Sequence, residues 1–165
     1  DDRVRRTKNA EPRFVGGFNV NLRYKNFDLK ALFQGALGAE TYIQTWSGTV
    51  GNYLKDFYDK RWTTENPNVE HPRAYERENQ YWISNSNTYF IRSCDYLRLK
   101  NIELGYNITL PALKNAGISN ARIYVNATNI FTIDKLKVAD PEADDKNITT
   151  YPQRRVVNFG VSLTF

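Results

Sequence analysis

The stretch 154–165, RRVVNFGVSLTF, alternates between apolar and polar side chains up to the aromatic residue Phe165. Its apolar positions are Val157, Phe159, Val161, Leu163 and Phe165. The positions between them hold the small or polar residues Asn158, Gly160, Ser162 and Thr164. Because successive side chains of a strand point to opposite faces, the pattern predicts a strand with one apolar face and one polar face. Such a strand suits a soluble β-sandwich, whose core covers the apolar face, or a membrane β-barrel, whose apolar face meets lipid.

Composition narrows the class of protein but leaves both of these folds open. The chain has 165 residues, contains no methionine and begins at Asp1, which predicts a processed or excised piece of a longer chain. No apolar run approaches the roughly 20 residues of a membrane-spanning helix, so a helical membrane protein is excluded. Barrel strands are only about 9–11 residues long and half polar, so the same test does not exclude a barrel.

The charge, cysteine and aromatic content narrow the range of possible functions further. The net charge of +5 is scattered along the chain rather than gathered in one stripe, which argues against nucleic-acid binding. The single cysteine, Cys94, has no partner for an internal disulfide and is expected to be a small buried residue. The 11 Tyr, 9 Phe and 3 Trp suit either aromatic girdles at a membrane interface or a surface that stacks on sugars.

Period-two alternation predicts four more strands upstream of the last one. They are expected near residues 14–24, 27–35, 94–108 and 122–131. Lys25 and Asn26 form the first connection, a two-residue hairpin turn with the asparagine as the residue that tolerates positive φ. In the third strand the apolar residues change parity between Leu99 and Ile102, which predicts a β-bulge near Lys100–Asn101 or an outer strand end that packs against loops.

The predicted connections alternate between short and long. The stretch 36–92 is long and irregular, with a short helix expected near 52–62, and 132–153 is a second polar loop. The compact connection 107–120 has Pro111 placed for the first turn of a helix and Gly117 for its C-terminal cap. In an up-and-down meander, this alternation puts both long loops at one end, as in outer-membrane barrels. Five strands are too few to close a barrel, so a membrane protein of this kind would need further strands.

Six stretches together resemble a known family. In order they are FVGGFNVNLRYKNFDLKALFQGALG (14–38), RWTTENPN (61–68), YLRLKNIELGYNITLP (96–111), ARIYVNATNIFT (121–132), DPE (140–142) and YPQRRVVNFGVSLTF (151–165). The chain resembles the C-terminal portion of SusC/RagA-like TonB-dependent outer-membrane transporters of Bacteroidetes-type bacteria over essentially its whole length. The resemblance implies an all-β barrel of about 22 strands with an N-terminal plug in its lumen. Residues 1–165 would then be the last five antiparallel strands with their long extracellular loops.

The resemblance also implies a function, a location and partners. The chain would supply barrel wall and loops to an outer-membrane transporter that imports glycans or peptides with a SusD-like surface lipoprotein. TonB would act through the plug, which these residues do not include. Phe159, Val161, Leu163 and Phe165 would be read by the barrel-assembly machinery or would simply form wall against lipid. A soluble β-sandwich that binds glycans and a surface adhesin are the alternative functions.

The residue pattern gives no support for an enzyme or for a required cofactor. His71 is the only histidine and has no serine or cysteine constellation around it, so a solvated loop histidine is expected. The carboxylates of the Asp140–Asp145 loop could bind Ca²⁺, which takes oxygen ligands. Because Lys135, Lys137 and Lys146 interrupt the negative charge and the spacing is not that of an EF-hand, a solvated loop is favoured.

Aromatic residues crowd the long loop. Four of them are candidate contacts to a ligand or to a lid protein: Trp46, Tyr58, Trp62 and Trp82. The competing interpretation is that most of the aromatic side chains form a small core, since a loop of this size must bury apolar surface to stay ordered.

Overall fold

The described residues form a large antiparallel sheet of six strands and a separate two-stranded sheet, with most of the loops at one end of the large sheet. The computed structural model describes residues 10–43, 55–73, 88–143 and 151–165. Its five long strands are β1 (Phe14–Tyr24), β2 (Phe27–Leu37), β5 (Tyr96–Ile108), β6 (Asn120–Thr128) and β8 (Val156–Thr164). They lie side by side in the order β1-β2-β5-β6-β8, and each pair is antiparallel. The prediction of an all-β meander with five long strands is confirmed.

Shorter elements occupy the connections. The strands β3 (Glu40–Tyr42) and β4 (Ile91–Ser93) pair with each other, and β7 (Thr132–Asp134) pairs with β5. The helices are α1 (Lys55–Asp59), a 3₁₀ turn at Thr88–Phe90, and α2 (Pro111–Asn115). Both α-helices fall where the sequence predicts them, whereas three-residue strands are too short to show a period. No helix in the described ranges is long and apolar enough to cross a membrane.

The turn between β1 and β2 has the predicted length but not the predicted conformation. Tyr24 pairs with Phe27, so Lys25 and Asn26 form a two-residue turn. The positive φ falls on Lys25, at 53°, and not on Asn26 as expected. Asn26 instead ties the turn to β5, because its carbonyl accepts the backbone N–H of Asn107 at 2.8 Å and its side chain donates to Thr109 Oγ1 at 3.1 Å. The turn is thus joined to β5 through Asn26, while Lys25 takes the left-handed conformation.

The predicted β-bulge lies at Lys100. Leu32 pairs with Asn101 and Phe33 pairs with Leu99, so Lys100 is the extra residue on β5. Because of the extra residue, Leu99 stays on the apolar face of the sheet, opposite Phe33. The side chain of Lys100 instead reaches the second loop, where its Nζ lies 2.7 Å from Glu142. The bulge therefore changes the parity of the strand and places a cation under the second loop.

The strand register puts both long connections at one end of the sheet. Leu37, Tyr96, Thr128 and Val156 are the strand termini at that end, which we call the loop end. The opposite end, the turn end, carries only the tight turn 25–26 and the connection 109–119. In that connection Pro111 begins α2, and Gly117 follows its C-cap with a φ of 77°. The predicted alternation of short and long connections is confirmed.

The two faces of the sheet differ in chemistry along the whole meander. One row across the apolar face is formed in register by Leu22, Leu29, Leu104, Val125 and Phe159. The neighbouring row on the polar face is formed by Asn21, Lys30, Glu103, Asn126 and Asn158. Large apolar side chains stay exposed on the apolar face, and Phe159 is 85% exposed. Within the part of the chain that the structure describes, no second large sheet covers them.

Candidate functional site

The first feature of the loop end is a small apolar core between the two long connections. Ala39, Ile43 and Cys94 come from the ends of the first connection, and Leu136 comes from the second. All four are buried, and Val138 and Ala139 pack against them. Burial raises the pKa of the Cys94 thiol, as expected for a small core residue. The two loops therefore form one packed unit above the sheet.

A buried ionic network fastens the second loop to β5. Arg98 is 4% exposed and donates to Asp140 Oδ1 at 2.7 Å and to Glu142 Oε2 at 2.8 Å. Its Nε also donates to Thr132 Oγ1 at 2.8 Å. A guanidinium has five donors in a fixed planar arrangement, so it can hold two carboxylates and a hydroxyl at once.

Side chains around Arg98 complete this network. Lys100 Nζ lies 2.7 Å from Glu142 Oε2, and the Tyr96 hydroxyl donates to Glu142 Oε1 at 2.6 Å. The side-chain amide of Gln153 also donates to Glu142, and its backbone N–H donates to Asp140 Oδ2 at 3.1 Å. The segments on both sides of residues 144–150 are thus held to the same two carboxylates.

These contacts correct the expectation of a solvated acidic loop. Asp140 and Glu142 are mostly buried side chains that are neutralised by Arg98 and Lys100. Asp144 and Asp145 lie outside the described residues, and within those residues no group of three or more metal-binding side chains occurs. Calcium binding at this loop, which the sequence favours less than a loop without metal, is not tested by these contacts.

Acid is expected to loosen the second loop. Burial disfavours ionised Asp140, but hydrogen bonds from Arg98 and from two backbone N–H groups outweigh it and hold the carboxyl pKa below 3.8. Burial likewise opposes ionised Glu142, and Lys100 and Tyr96 outweigh it and hold the pKa below 4.5. Since both pKa values are lower in the folded state, the stabilisation is complete above about pH 4.5 and is lost as the pH falls through the folded values.

Hydrogen exchange of the backbone at 132–143, corrected for the intrinsic effect of pH, tests this expectation. The protection of these amides against exchange should decrease at the acid end of a pH titration from about pH 6 to about pH 3. A Glu142→Gln variant, which has one fewer titrating group, should show a smaller change over the same range. Protection that stays constant in the unmodified protein would contradict the assignment.

The first loop is organised around His71, which is 7% exposed. Its Nδ1 lies 2.7 Å from the Tyr89 hydroxyl, and its Nε2 lies 3.1 Å from Asp56 Oδ2 on α1. The imidazole also stacks on the ring of Phe57, with 5.3 Å between ring centroids. Hydrogen bonds from Lys60 and His71 hold the pKa of Asp56 below its usual range, and burial raises the pKa of Tyr89 to about 12.

His71 is therefore not the solvated loop histidine that the sequence suggested. A backbone ladder between residues 60–62 and 71 brings it back to α1: Trp62 N donates to His71 O at 2.9 Å, and His71 N donates to Lys60 O at 3.1 Å. Both ring nitrogens have polar partners within the loop, so the side chain joins three segments of it.

Half of the predicted ligand or lid contacts fall in the described part of the loop. Tyr58 is 59% exposed and Trp62 is 40% exposed, and Arg61 lies over the Tyr58 ring at 3.9 Å from its centroid. Phe57, by contrast, is buried against His71, as a loop core requires. Trp46 and Trp82 lie outside the described residues, and contact with a ligand or lid stays a prediction for all four.

The polar face carries a second ionic cluster, nearer the turn end. Arg122 on β6 bonds to both carboxylate oxygens of Asp28 on β2, with Nε 3.0 Å from Oδ1, and to Glu103 Oε1 at 2.7 Å. To reach β2 the guanidinium lies across Gly105 of β5, where an added Cβ would stand 2.2 Å from Arg122 Nη2. Only glycine leaves this path open, so the cluster links three adjacent strands on the polar face.

The C-terminal strand presents its apolar residues to the outside of the sheet. The predicted assembly-signal residues are all exposed: Phe159, Val161, Leu163 and Phe165. Recognition of these residues by an assembly machinery is not shown by their exposure and stays a prediction.

The features that the sequence did not reveal are all contacts between distant segments. Arg98 and Lys100 read as ordinary polar-face residues of a strand, and their carboxylate partners lie 42–44 residues away. The sequence presents Asp140 and Glu142 as carboxylates of a loop, with nothing that assigns Arg98 as their partner. One buried cation on an interior strand does not change the alternation of apolar and polar residues. The sequence pattern therefore does not predict this network.

Comparison with known proteins finds relatives that are named as TonB-dependent receptors. No protein-family model matches the chain. The chain is 32% identical over 171 residues to TonB-dependent receptor P3 of Formosa agariphila, and 29% identical over 171 residues to TonB-dependent receptor P26 of the same bacterium. Each match covers 93% of this chain but only 16% and 17% of the respective relative. The chain therefore spans a small part of the length of the curated relatives it matches.

Solved structures give the same result for the fold. A chain of the RagAB peptide importer in its open-open state matches with a TM-score of 0.75 and 26% identity, and a chain of the RagAB peptide transporter matches with a TM-score of 0.76 and 26% identity. Each covers 98% of this chain and 18% of the solved chain. None of these comparisons supports a soluble β-sandwich. The chain is therefore homologous, over almost all of its length, to a part of proteins that are named TonB-dependent receptors.

Proposed function

We propose that residues 1–165 form barrel wall and extracellular loops in a TonB-dependent transporter of the outer membrane. The proposal rests on the homology and on one structural observation, the sheet with an exposed apolar face and a polar, charged opposite face. In a barrel the first face meets lipid and the second lines the lumen. The outer edges of β1 and β8 have no ladder partner among the described residues, so further strands must complete the wall in lipid.

The loop end then faces the cell exterior, because long connections of such barrels lie outside and short turns lie in the periplasm. The cargo we propose is a peptide or an oligosaccharide, and the peptide importer among the matched structures supports the former. We further propose a SusD-like lipoprotein at the loop end, the TonB complex as the energy source acting outside these residues, and reading of the C-terminal strand during barrel assembly. The role requires no catalysis, and the relatives are named as receptors and importers.

The proposal is tested on a denaturing gel that compares an unheated with a boiled membrane fraction of the source organism. An antibody to this chain detects the bands. A large band whose migration changes on boiling is expected, because closed outer-membrane barrels resist unfolding by detergent. Deletion of the gene should then abolish uptake of the cargo, which separates a transporter from an adhesin. A soluble band near the 19.2 kDa of this chain, indifferent to heating, would overturn the proposal.

A further inference from the structure

A cavity of about 350 Å³ lies at the loop end, between the two long connections. Its lining combines an apolar part with a cationic part. The apolar part includes Ile43, Phe57 and Leu136, and the polar part includes His71, Arg92 and Lys137. Because α1 and β4 belong to the first connection and residues 135–138 to the second, both loops must be docked for the cavity to exist.

Two of the cations around this cavity are already neutralised. Lys60 Nζ lies 2.7 Å from Asp56 and 3.5 Å from Glu70. Lys135 Nζ lies 2.9 Å from Asp95. These three carboxylates offset the two lysines and leave one negative charge over, so the remaining cations of the lining determine the sign of its charge.

Arg92 and Lys137 are the remaining cations, and neither is offset within the described ranges. Arg92 donates to the backbone carbonyls of Tyr89 and Ile91, which are neutral acceptors. Lys137 has a left-handed backbone at φ 63°, fixed by its N–H to Asp134 Oδ1 at 2.6 Å, and its ammonium has no carboxylate partner among these residues. Arg92 and Lys137 outnumber the one surplus carboxylate, so the cavity offers an excess of one positive charge beside an apolar surface.

We propose that this cavity binds a carboxylate that is attached to an apolar group. Guanidinium and ammonium groups form their strongest hydrogen bonds with carboxylates, and the aliphatic and aromatic part of the lining favours an apolar substituent over a hydroxylated one. The C-terminal residue of a peptide with an apolar side chain has this chemistry, whereas an acidic sugar has the carboxylate alone. The inference deepens the proposed transport function and rests on it for its biological meaning.

The test is calorimetric or NMR titration of the purified receptor that contains this chain with N-acetyl-leucine, N-acetyl-leucinamide and glucuronate. N-acetyl-leucine should bind about tenfold more tightly than its amide, since the amide differs in lacking the charge. Lys137→Gln should weaken binding of the acid about five- to tenfold and leave the amide unchanged. Glutamine has a Cβ like lysine, so the left-handed position is strained equally in both proteins.

Lys114→Gln, an equivalent change in α2 at the turn end, is the matched control and should leave the affinity unchanged. Equal affinity for the acid and the amide, or no effect of Lys137→Gln, would overturn the inference. Glucuronate binding as tightly as N-acetyl-leucine would overturn the apolar half of it. Heat-dependent migration of the same preparation reports on the barrel separately, so a failure of carboxylate binding is distinguishable from a failure of the proposed function.

Discussion

Replacement of Arg98 by methionine is expected to release residues 132–143 from the sheet. The guanidinium is almost wholly buried and holds both Asp140 and Glu142. Methionine has a similar length but no charge, so Asp140 loses the one cation that it contacts among the described residues, and both carboxylates stay mostly buried. Removing one partner of a buried ion pair costs about 3–5 kcal/mol, since the other charge is left uncompensated.

Hydrogen exchange of the intact receptor measures this release directly. Amides in 132–143 should lose protection in Arg98→Met, whereas amides in β1 and β2 should keep theirs. The protection of these amides in Arg98→Lys should lie between that in Arg98→Met and that in the unmodified protein. An ammonium keeps the charge but cannot hold two carboxylates in one plane. Arg155→Met, at an exposed position, is the matched control and should behave like the unmodified protein. Unchanged protection in Arg98→Met would show that the small apolar core alone docks the loop.

Arg98 also shows which features of this fold a local sequence pattern cannot predict. The alternation within β5 and the parity change at Lys100 depend only on neighbours, so strand and bulge were predictable from the sequence. The burial of Arg98 depends on carboxylates more than 40 residues away, and no local pattern encodes that contact. Lys25 gives a second case, since it takes the positive φ that asparagine tolerates better, while Asn26 bonds to residues over 80 positions away.

The loop site was less predictable than the sheet for the same reason. His71 stands between a glutamate and a proline in a stretch rich in polar residues, which is typical of solvated loops. Its burial arises because residues 60–62 pair with it and because Asp56 and Tyr89 supply partners for both ring nitrogens. A local sequence pattern can assign residues to a loop, but only the folded loop shows which of them face inward.

Leu22→Arg is expected to reduce the amount of assembled receptor in the outer membrane several-fold. Leu22 is 57% exposed and belongs to the apolar row that also contains Leu104 and Phe159, two residues before the turn end of β1. If that face meets lipid, an arginine there enters the apolar band between the interface, where the cost in membrane barrels is about 0–1 kcal/mol, and the midplane, where it is about 2–4 kcal/mol. The assay is quantitative blotting of the heat-modifiable band from isolated outer membranes, together with urea unfolding of the purified barrel in lipid vesicles.

Asn21→Arg is the matched control because it adds the same side chain one residue away on the opposite face. Asn21 lies beside Lys30 on the polar face, which a barrel would turn to its wet lumen. An arginine there stays hydrated, so the free energy of unfolding should change by less than about 0.5 kcal/mol. Equal losses in the two variants would mean that the faces are not separated by lipid and water. A large loss in Leu22→Arg alone requires an apolar environment on one face only, which a sheet with two solvated faces does not provide.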